Sequence, residues 1–242
     1  MLKDWGKMSP AAWYELHVLR SVPKASTAAL EFGNLVHTML LEPFEAGERY
    51  KQLPEGHSGA TKAGKTLIAE CKEAGLTPVK HADWQLAEEM VAAVLSHALV
   101  KKWRLFDGGT AESEWYATHS TGLTLRAKPD WMNGSLITDL KTTADAAPKA
   151  FSRDAVKYGY HRSEHFYTTV MNLNGITVSN FIFVAVSKTA PLQVSVSVFD
   201  TPALDEAARR NEAALLEIAA CLDADHWPGH NNLNTISIPS WI

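Results

Sequence analysis

The sequence predicts an α/β fold in which a mixed central sheet is flanked by helices. Three observations lead there. Helical patterning dominates the chain up to about residue 107. Strand-like stretches then gather around an Asn133-Gly134 turn signal. Two more helical segments follow, then two further apolar strands and a closing helix. The expected organisation is a single domain over 1–242, mainly helical over 1–107, with the sheet and its helices over 108–242.

Bulk composition agrees with a globular chain. Its 242 residues are 46% hydrophobic, ample for a core. No apolar run approaches the roughly 20 residues a membrane helix needs, so no membrane partner is expected. The opening MLKDWGKMSP has no signal-peptide core, and Cys71 and Cys221 stand too far apart to suggest a disulfide framework. A reducing, cytoplasmic location is the expectation. The net charge of −4 does not point to nucleic acid, so any basic surface must be local.

In chain order, Ser9-Pro10 reads as an N-cap and N1 pair opening a helix to about Arg20. Ser26 and Thr27 start a second helix through about Leu41, stopped by Pro43. Leu30, Val36, Met39 and Leu40 give it an apolar face that also carries His37. Residues 44–66 read as a loop. Within them Gly59 to Thr66 fits the phosphate-loop spacing, but Leu53-Pro54-Glu55-Gly56-His57 is no buried strand, and a surface or DNA-contacting loop is the better reading. Residues 64–75 and 83–103 read as helices. Ala111–Ala117 then begins the sheet, and alternation would place Glu112, Glu114 and Tyr116 on one face.

Leu123–Ala127 and Leu136–Leu140 read as strands of a hairpin with Asp130 near its turn. Residues two apart on a strand share a face, so Asp139 and Lys141 point the same way, while the Leu140 carbonyl can still face them. Two carboxylates can hold Mg²⁺, or Mn²⁺, and leave positions for water and a phosphate oxygen. Such a cation lowers the pKa of a bound water, and a lysine beside it orients that water or offsets developing charge. This chemistry suits phosphodiester hydrolysis. An exposed hairpin with ordinary Asp and Lys residues is the alternative from spacing alone. From Arg126 to Arg162, seven basic residues including Lys149, Arg153 and Lys157 face four aspartates, a modest positive bias beside the site.

Past Lys141, Pro148–Tyr158 and Tyr160–Leu173 read as helices, Val178–Val186 and Leu192–Phe199 as strands, and Pro202–Leu222 as a helix. Trp227 to Ile242 reads as a tail that closes the core or docks on a neighbouring subunit.

Pro129-Asp130 followed by Asp139-Leu140-Lys141-Thr142-Thr143 resembles the PD-(D/E)xK nuclease signature, most of all its RecE-like (exodeoxyribonuclease VIII-like) branch. The resemblance runs nearly the whole chain. Gly33-Asn34-Leu35-Val36-His37 with Leu40-Leu41-Glu42-Pro43 is similar to the family's early histidine helix, and Glu112 to its acidic strand. Phe151, Tyr158-Gly159-Tyr160-His161, Trp227-Pro228-Gly229 and Ile238-Pro239-Ser240-Trp241 resemble later family segments. The resemblance implies a restriction-endonuclease-like core. Asp130, Asp139, the Leu140 carbonyl and His37 would be the metal shell, Glu112 a supporting acid and Lys141 the water-positioning group. Arg153, Lys157, Arg162 and Tyr167 are the expected DNA contacts. The implied activity is 5′-to-3′ degradation of double-stranded DNA ends to 5′-mononucleotides, leaving 3′ single strands for phage-type recombination. It also implies a single-strand annealing protein as partner and a ring-shaped homo-oligomer, trimer or tetramer, whose topology would hold an acidic chain on DNA. The chain departs from the family where Ser163 stands in place of a glutamine. That departure supports a weakened DNA-binding protein of the same fold as one alternative; a sequence-specific endonuclease of the superfamily is another. A Cas4-type iron–sulfur nuclease needs four ligands, and two cysteines cannot supply them.

Overall fold

A computed structural model describes residues 2–23 and 26–230. Its helices are α1 (Pro10–Tyr14), α2 (Ala28–Leu41), α3 (Pro43–Arg49), α4 (Lys62–Glu73), α5 (His81–Ser96), α6 (Ala98–Trp103), α7 (Pro148–Lys157), α8 (Tyr160–Leu173) and α9 (Thr201–Asp223). A 3-10 turn, Leu2–Asp4, precedes them. The strands are β1 (Tyr50–Gln52), β2 (Thr77–Val79), β3 (Thr110–Ala111), β4 (Trp115–Thr118), β5 (Thr124–Ala127), β6 (Trp131–Asn133), β7 (Leu136–Thr143), β8 (Asn180–Ser187) and β9 (Val194–Ser197).

The main sheet has the order β3-β6-β7-β8-β9. Within this sheet only β7 and β8 pair in parallel, in register from Leu136 opposite Asn180 to Thr143 opposite Ser187. A parallel pair needs a long crossover, and α7 and α8 supply it. The sheet is therefore mixed and flanked by helices, as the sequence predicts. β8 is apolar and buried from Phe181 onward, the pattern of a strand covered on both faces. One face (Leu140, Ile182, Val184, Val186) packs on Leu35, Val36 and Leu40 of α2 and on Met90 and Val94 of α5. The other (Ile137, Phe181, Phe183, Ala185) packs on Phe151 of α7, Val170 and Met171 of α8, and Leu215 of α9.

Several expectations are corrected. The strand expected over Ala111–Ala117 is broken at Glu112, whose φ of 51° ends β3. Thr110–Ala111 joins the main sheet, whereas Trp115–Thr118 pairs with β5 in a separate hairpin. Glu112, Glu114 and Tyr116 thus do not share one strand face. Glu114 instead sits at the surface, paired with Arg126 and accepting a bond from the Tyr116 hydroxyl. The site hairpin pairs β6, not Leu123–Ala127, with β7, and its turn uses Gly134 at φ 58°. Trp131 faces Thr138, so Asp130 lies level with Asp139 at the open end, away from the turn. The expected loop over 44–66 contains α3 and β1, and β1 pairs in parallel with β2. The expected helix over 83–103 is two, broken at His97. The first helix passes into π-helix over Glu15–Leu19, and Arg20 ends it in left-handed conformation. Trp227 stacks on Tyr14 and Trp13, while Ile238-Pro239-Ser240-Trp241 lies outside the described residues.

Candidate active site

The site forms where β6 and β7 open and α2 crosses them. Gly33 makes that approach possible: a Cβ there would stand 3.2 Å from Thr142 Oγ1. One helical turn later, on the same face of α2, His37 arrives at the site. Its Nδ1 is 3.5 Å from Asp130 Oδ2. That oxygen accepts a 2.8 Å bond from the Leu140 N–H, which fixes the carboxylate against β7. The Glu112 N–H donates to the Asp130 carbonyl at 3.0 Å, continuing the β3–β6 ladder by one residue. The left-handed backbone at Glu112 then turns its carboxylate toward the same place. Donor atoms of His37, Glu112 and Asp130 all lie within 4.8 Å of one another.

Asp139 and Lys141 share a face of β7, as their spacing predicts, and form a buried ion pair. The Lys141 ammonium also donates to the Leu140 carbonyl at 3.2 Å and lies 3.9 Å from Asp130 Oδ2. Tyr160, opening α8, presents its ring 5.2 Å from that ammonium and stacks on Phe183 behind it. Burial pushes the Asp139 carboxyl up to about 6, with Lys141 opposing and Asp130 adding to the rise. Burial alone would lower Lys141, but Asp139 and Asp130 outweigh it and hold the lysine charged. Burial, then the Lys141 charge, lowers His37 to about 4, so its imidazole is neutral and able to bind a cation.

The remaining predicted residues divide. Burial, followed by the charges of Asp139 and Asp130, raises the Tyr167 phenol, which places it within electrostatic reach of the site. Arg153 and Lys157 are exposed on α7. Asp154 of α7 and Tyr158 just after it border a pocket of about 210 Å³ shared with Lys141, Tyr160 and Lys188, and the Lys157 ammonium lies 5.4 Å from the Tyr158 ring. Arg162 is corrected: it is buried, with Nε bonded to Asn211 Oδ1 at 2.9 Å and its terminal nitrogens bonded to the carbonyls of Lys3 and Leu2. It braces the chain and offers nothing to DNA. The Ser163 hydroxyl turns back to the Gly159 carbonyl at 3.4 Å. Sequence reasoning missed its neighbour Glu164, which burial and then Asp139 push up to about 8. It missed Lys3 and Lys188 as well. All three reach the site through tertiary packing, which local spacing does not report.

A mixed sheet whose β-hairpin presents Asp130, Asp139 and Lys141 at its open end is the arrangement of PD-(D/E)xK nucleases. The chain belongs to the PDDEXK-like domain family of unknown function (DUF3799), whose model matches residues 1–236. The structure of a protein assigned as an exonuclease from Eubacterium rectale is similar over 98% of this chain and 88% of that chain. The TM-score is 0.66 at 16% identity, a likeness of fold. A phage-related exonuclease from Haemophilus somnus 129PT matches 71% of this chain and 91% of that chain, with 14% identity and a TM-score of 0.37. No curated protein matches the sequence.

PD-(D/E)xK nucleases use divalent metals. The donor set here fits such an ion. Two carboxylates and a neutral imidazole converge, and Glu112, in left-handed backbone, has its carboxylate both in this group and paired with Lys128. No helix among the described residues is long and apolar enough to cross a membrane.

Proposed function

We propose that this chain is a metal-dependent exodeoxyribonuclease acting on double-stranded DNA ends as a single nuclease domain. The observation that carries this reading is the convergence of His37, Glu112 and Asp130 beside the buried Asp139–Lys141 pair. Asp130, Glu112 and His37 would hold the cation, with Asp139 and the Leu140 carbonyl close enough in the chain to join them. When bound, Mg²⁺ or Mn²⁺ supplies Lewis acidity to the scissile phosphodiester and the attacking water. The chain's own groups do the rest. The Leu140 N–H keeps Asp130 oriented and, with the Lys141 charge, opposes the rise that burial imposes on its carboxyl. The Tyr160 ring and Asp139 hold the Lys141 ammonium where it orients the water and offsets charge developing on the phosphate. Tyr167, Arg153 and Lys157 guide the strand.

The finer features rest on the RecE-like resemblance: 5′-to-3′ polarity, mononucleotide release, a 3′ tail for recombination, an annealing-protein partner and a ring of three or four subunits. Ser163 favours one rival, a binding protein of weakened activity, because its hydroxyl is turned back onto Gly159 and leaves that side of the site without the family's amide. Linear duplex labelled at one 5′ end separates the readings. Wild type with Mg²⁺ should release labelled mononucleotide and leave closed circular DNA intact, and Lys141→Ala should release none. Cutting of the circle would indicate an endonuclease. Binding without cutting would establish the weakened protein.

A further inference from the structure

A second lysine reaches the catalytic face from the far end of the chain. Lys3 lies on the 3-10 turn Leu2–Asp4, and three independent contacts aim it. Arg162, itself buried, donates to the Lys3 carbonyl at 3.3 Å and the Leu2 carbonyl at 3.1 Å. Asn211 of α9 locks that arginine from both sides, accepting from its Nε and donating to its carbonyl at 2.8 Å. The Lys3 stem lies across Gly159, where a Cβ would meet the lysine Cβ at 3.5 Å. Its ammonium then stands 5.6 Å from the centroid of Tyr160, the ring that also carries Lys141. Trp5 extends the brace, donating from Nε1 to Glu217 of α9 at 2.6 Å.

The electrostatics of this placement are unfavourable without a ligand. Lys3 is partly buried, and burial followed by the like charge of Lys141 lowers it, outweighing the attraction of Asp4 and Asp139. Among the described residues no carboxylate forms an ion pair with it, whereas Lys141 has Asp139. A buried arginine, an asparagine and a glycine that hold one unpaired ammonium beside a charged lysine make sense if an anion completes the group. The cation–π contact with Tyr160 alone does not require a second lysine there.

We infer that Lys3 binds a backbone phosphate of the DNA strand next to the scissile one, with Arg162 and Asn211 as the residues that position it. This rests on the nuclease reading above. The phosphate oxygens would lie over the edge of Tyr160, between the Lys3 ammonium and the phosphate at Lys141. Lys188 lines the same pocket as Lys141 and Tyr160 and adds a further positive charge there.

The test is binding of linear duplex DNA with Ca²⁺ in place of Mg²⁺, followed by fluorescence anisotropy across a salt series. Lys3→Met keeps the stem and removes the charge. It should weaken binding roughly tenfold and lower the salt slope by about one, while Lys3→Arg should restore both. Thermal unfolding of DNA-free Lys3→Met should be no lower than that of wild type, because the charge removed is unfavourably placed in the free protein. A single neutral methylphosphonate, moved along the strand, should weaken wild type at one position and leave Lys3→Met unaffected there. Equal binding by wild type and Lys3→Met at every salt concentration overturns the inference and leaves the nuclease reading standing. A Lys3 effect that disappears on ends carrying a 5′-hydroxyl overturns the backbone assignment in favour of a terminal phosphate. A wild type that neither binds nor cuts DNA overturns the nuclease reading first, and Lys3 with it.

Discussion

On one face of β7, Leu140 is wholly buried among aliphatic side chains of α2, α5 and β8. On the other face, one residue to either side, Asp139 and Lys141 are buried as ions against Tyr160. The same strand serves opposite ends because its side chains alternate. The Leu140 face holds the sheet together through removal of apolar surface from water. The Asp139 pair adds little net stability, since desolvating two charges costs about what their attraction returns. In the function proposed above, stability and chemistry are thus separated by a single residue of register.

The largest expected effect lies on the charged face. Lys141→Met should lower cleavage about a thousandfold, the scale of losing a group that offsets transition-state charge. It should also destabilise the fold by about 3 kcal/mol, because Asp139 is left buried and unpaired. Adding Asp139→Asn should recover most of that stability and none of the activity. Chemical denaturation of the three proteins checks the first part and the end-labelled cleavage assay the second. A single variant as stable as wild type would mean that the pair is hydrated and the two faces are alike.

Leu140→Ala probes the opposite face. It should cost about 3 kcal/mol in denaturant unfolding through the cavity it leaves. The folded fraction should cleave at the wild-type rate, because the Leu140 N–H and carbonyl are backbone groups that survive the substitution.

These two faces also show what was legible from the residues alone. Asp139 and Lys141 are two apart, so period-two alternation places them together, and the helical pattern of Tyr160–Leu173 matches the observed ends of α8. The partner strand was misread. Leu123–Ala127 looks more strand-like than the three-residue Trp131–Asn133, yet β6 owns the Asn133-Gly134 turn. A short strand is stabilised by its neighbours on both sides, β3 and β7, and carries little signal of its own. Glu112 was found only through family resemblance, since its left-handed backbone breaks the alternation that the sequence suggests. Arg162 was misassigned because a buried arginine has the same local signature as an exposed one. Its partners, Asn211 and the carbonyls of Leu2 and Lys3, lie far away in sequence.

Glu164 sharpens the comparison through pH. Its carboxyl is pushed up to about 8 by burial and then by Asp139, so it is protonated in the folded chain near neutrality. The unfolded chain releases that proton near the ordinary value of 4.5. Between the two values the folded state holds the extra proton, so stability is full below about pH 4.5 and falls as pH rises through 8. In metal-free protein the loss from this group should be on the order of 3 kcal/mol. Glu164→Gln should flatten that part of the profile and be the more stable protein at pH 8. Urea midpoints at intervals across this range measure it. Parallel profiles for the two proteins would mean that Glu164 is ionised in the fold.

The smallest stability effect should come from Glu112, where the two kinds of cost meet in one residue. A non-glycine residue at φ 51° carries backbone strain, and Glu112→Gly relieves it. The same change gives up the 2.6 Å ion pair with Lys128, which is partly exposed and worth little, and adds chain entropy to the unfolded state. These contributions oppose one another, so unfolding free energy should move by less than about 1 kcal/mol. Divalent-cation affinity measured by calorimetry should fall at least about tenfold, because one of three converging donors is gone. If affinity held while stability rose, the strained backbone would belong to folding of the β3–β6 edge, and the cation would be held by Asp130, Asp139 and His37 without it.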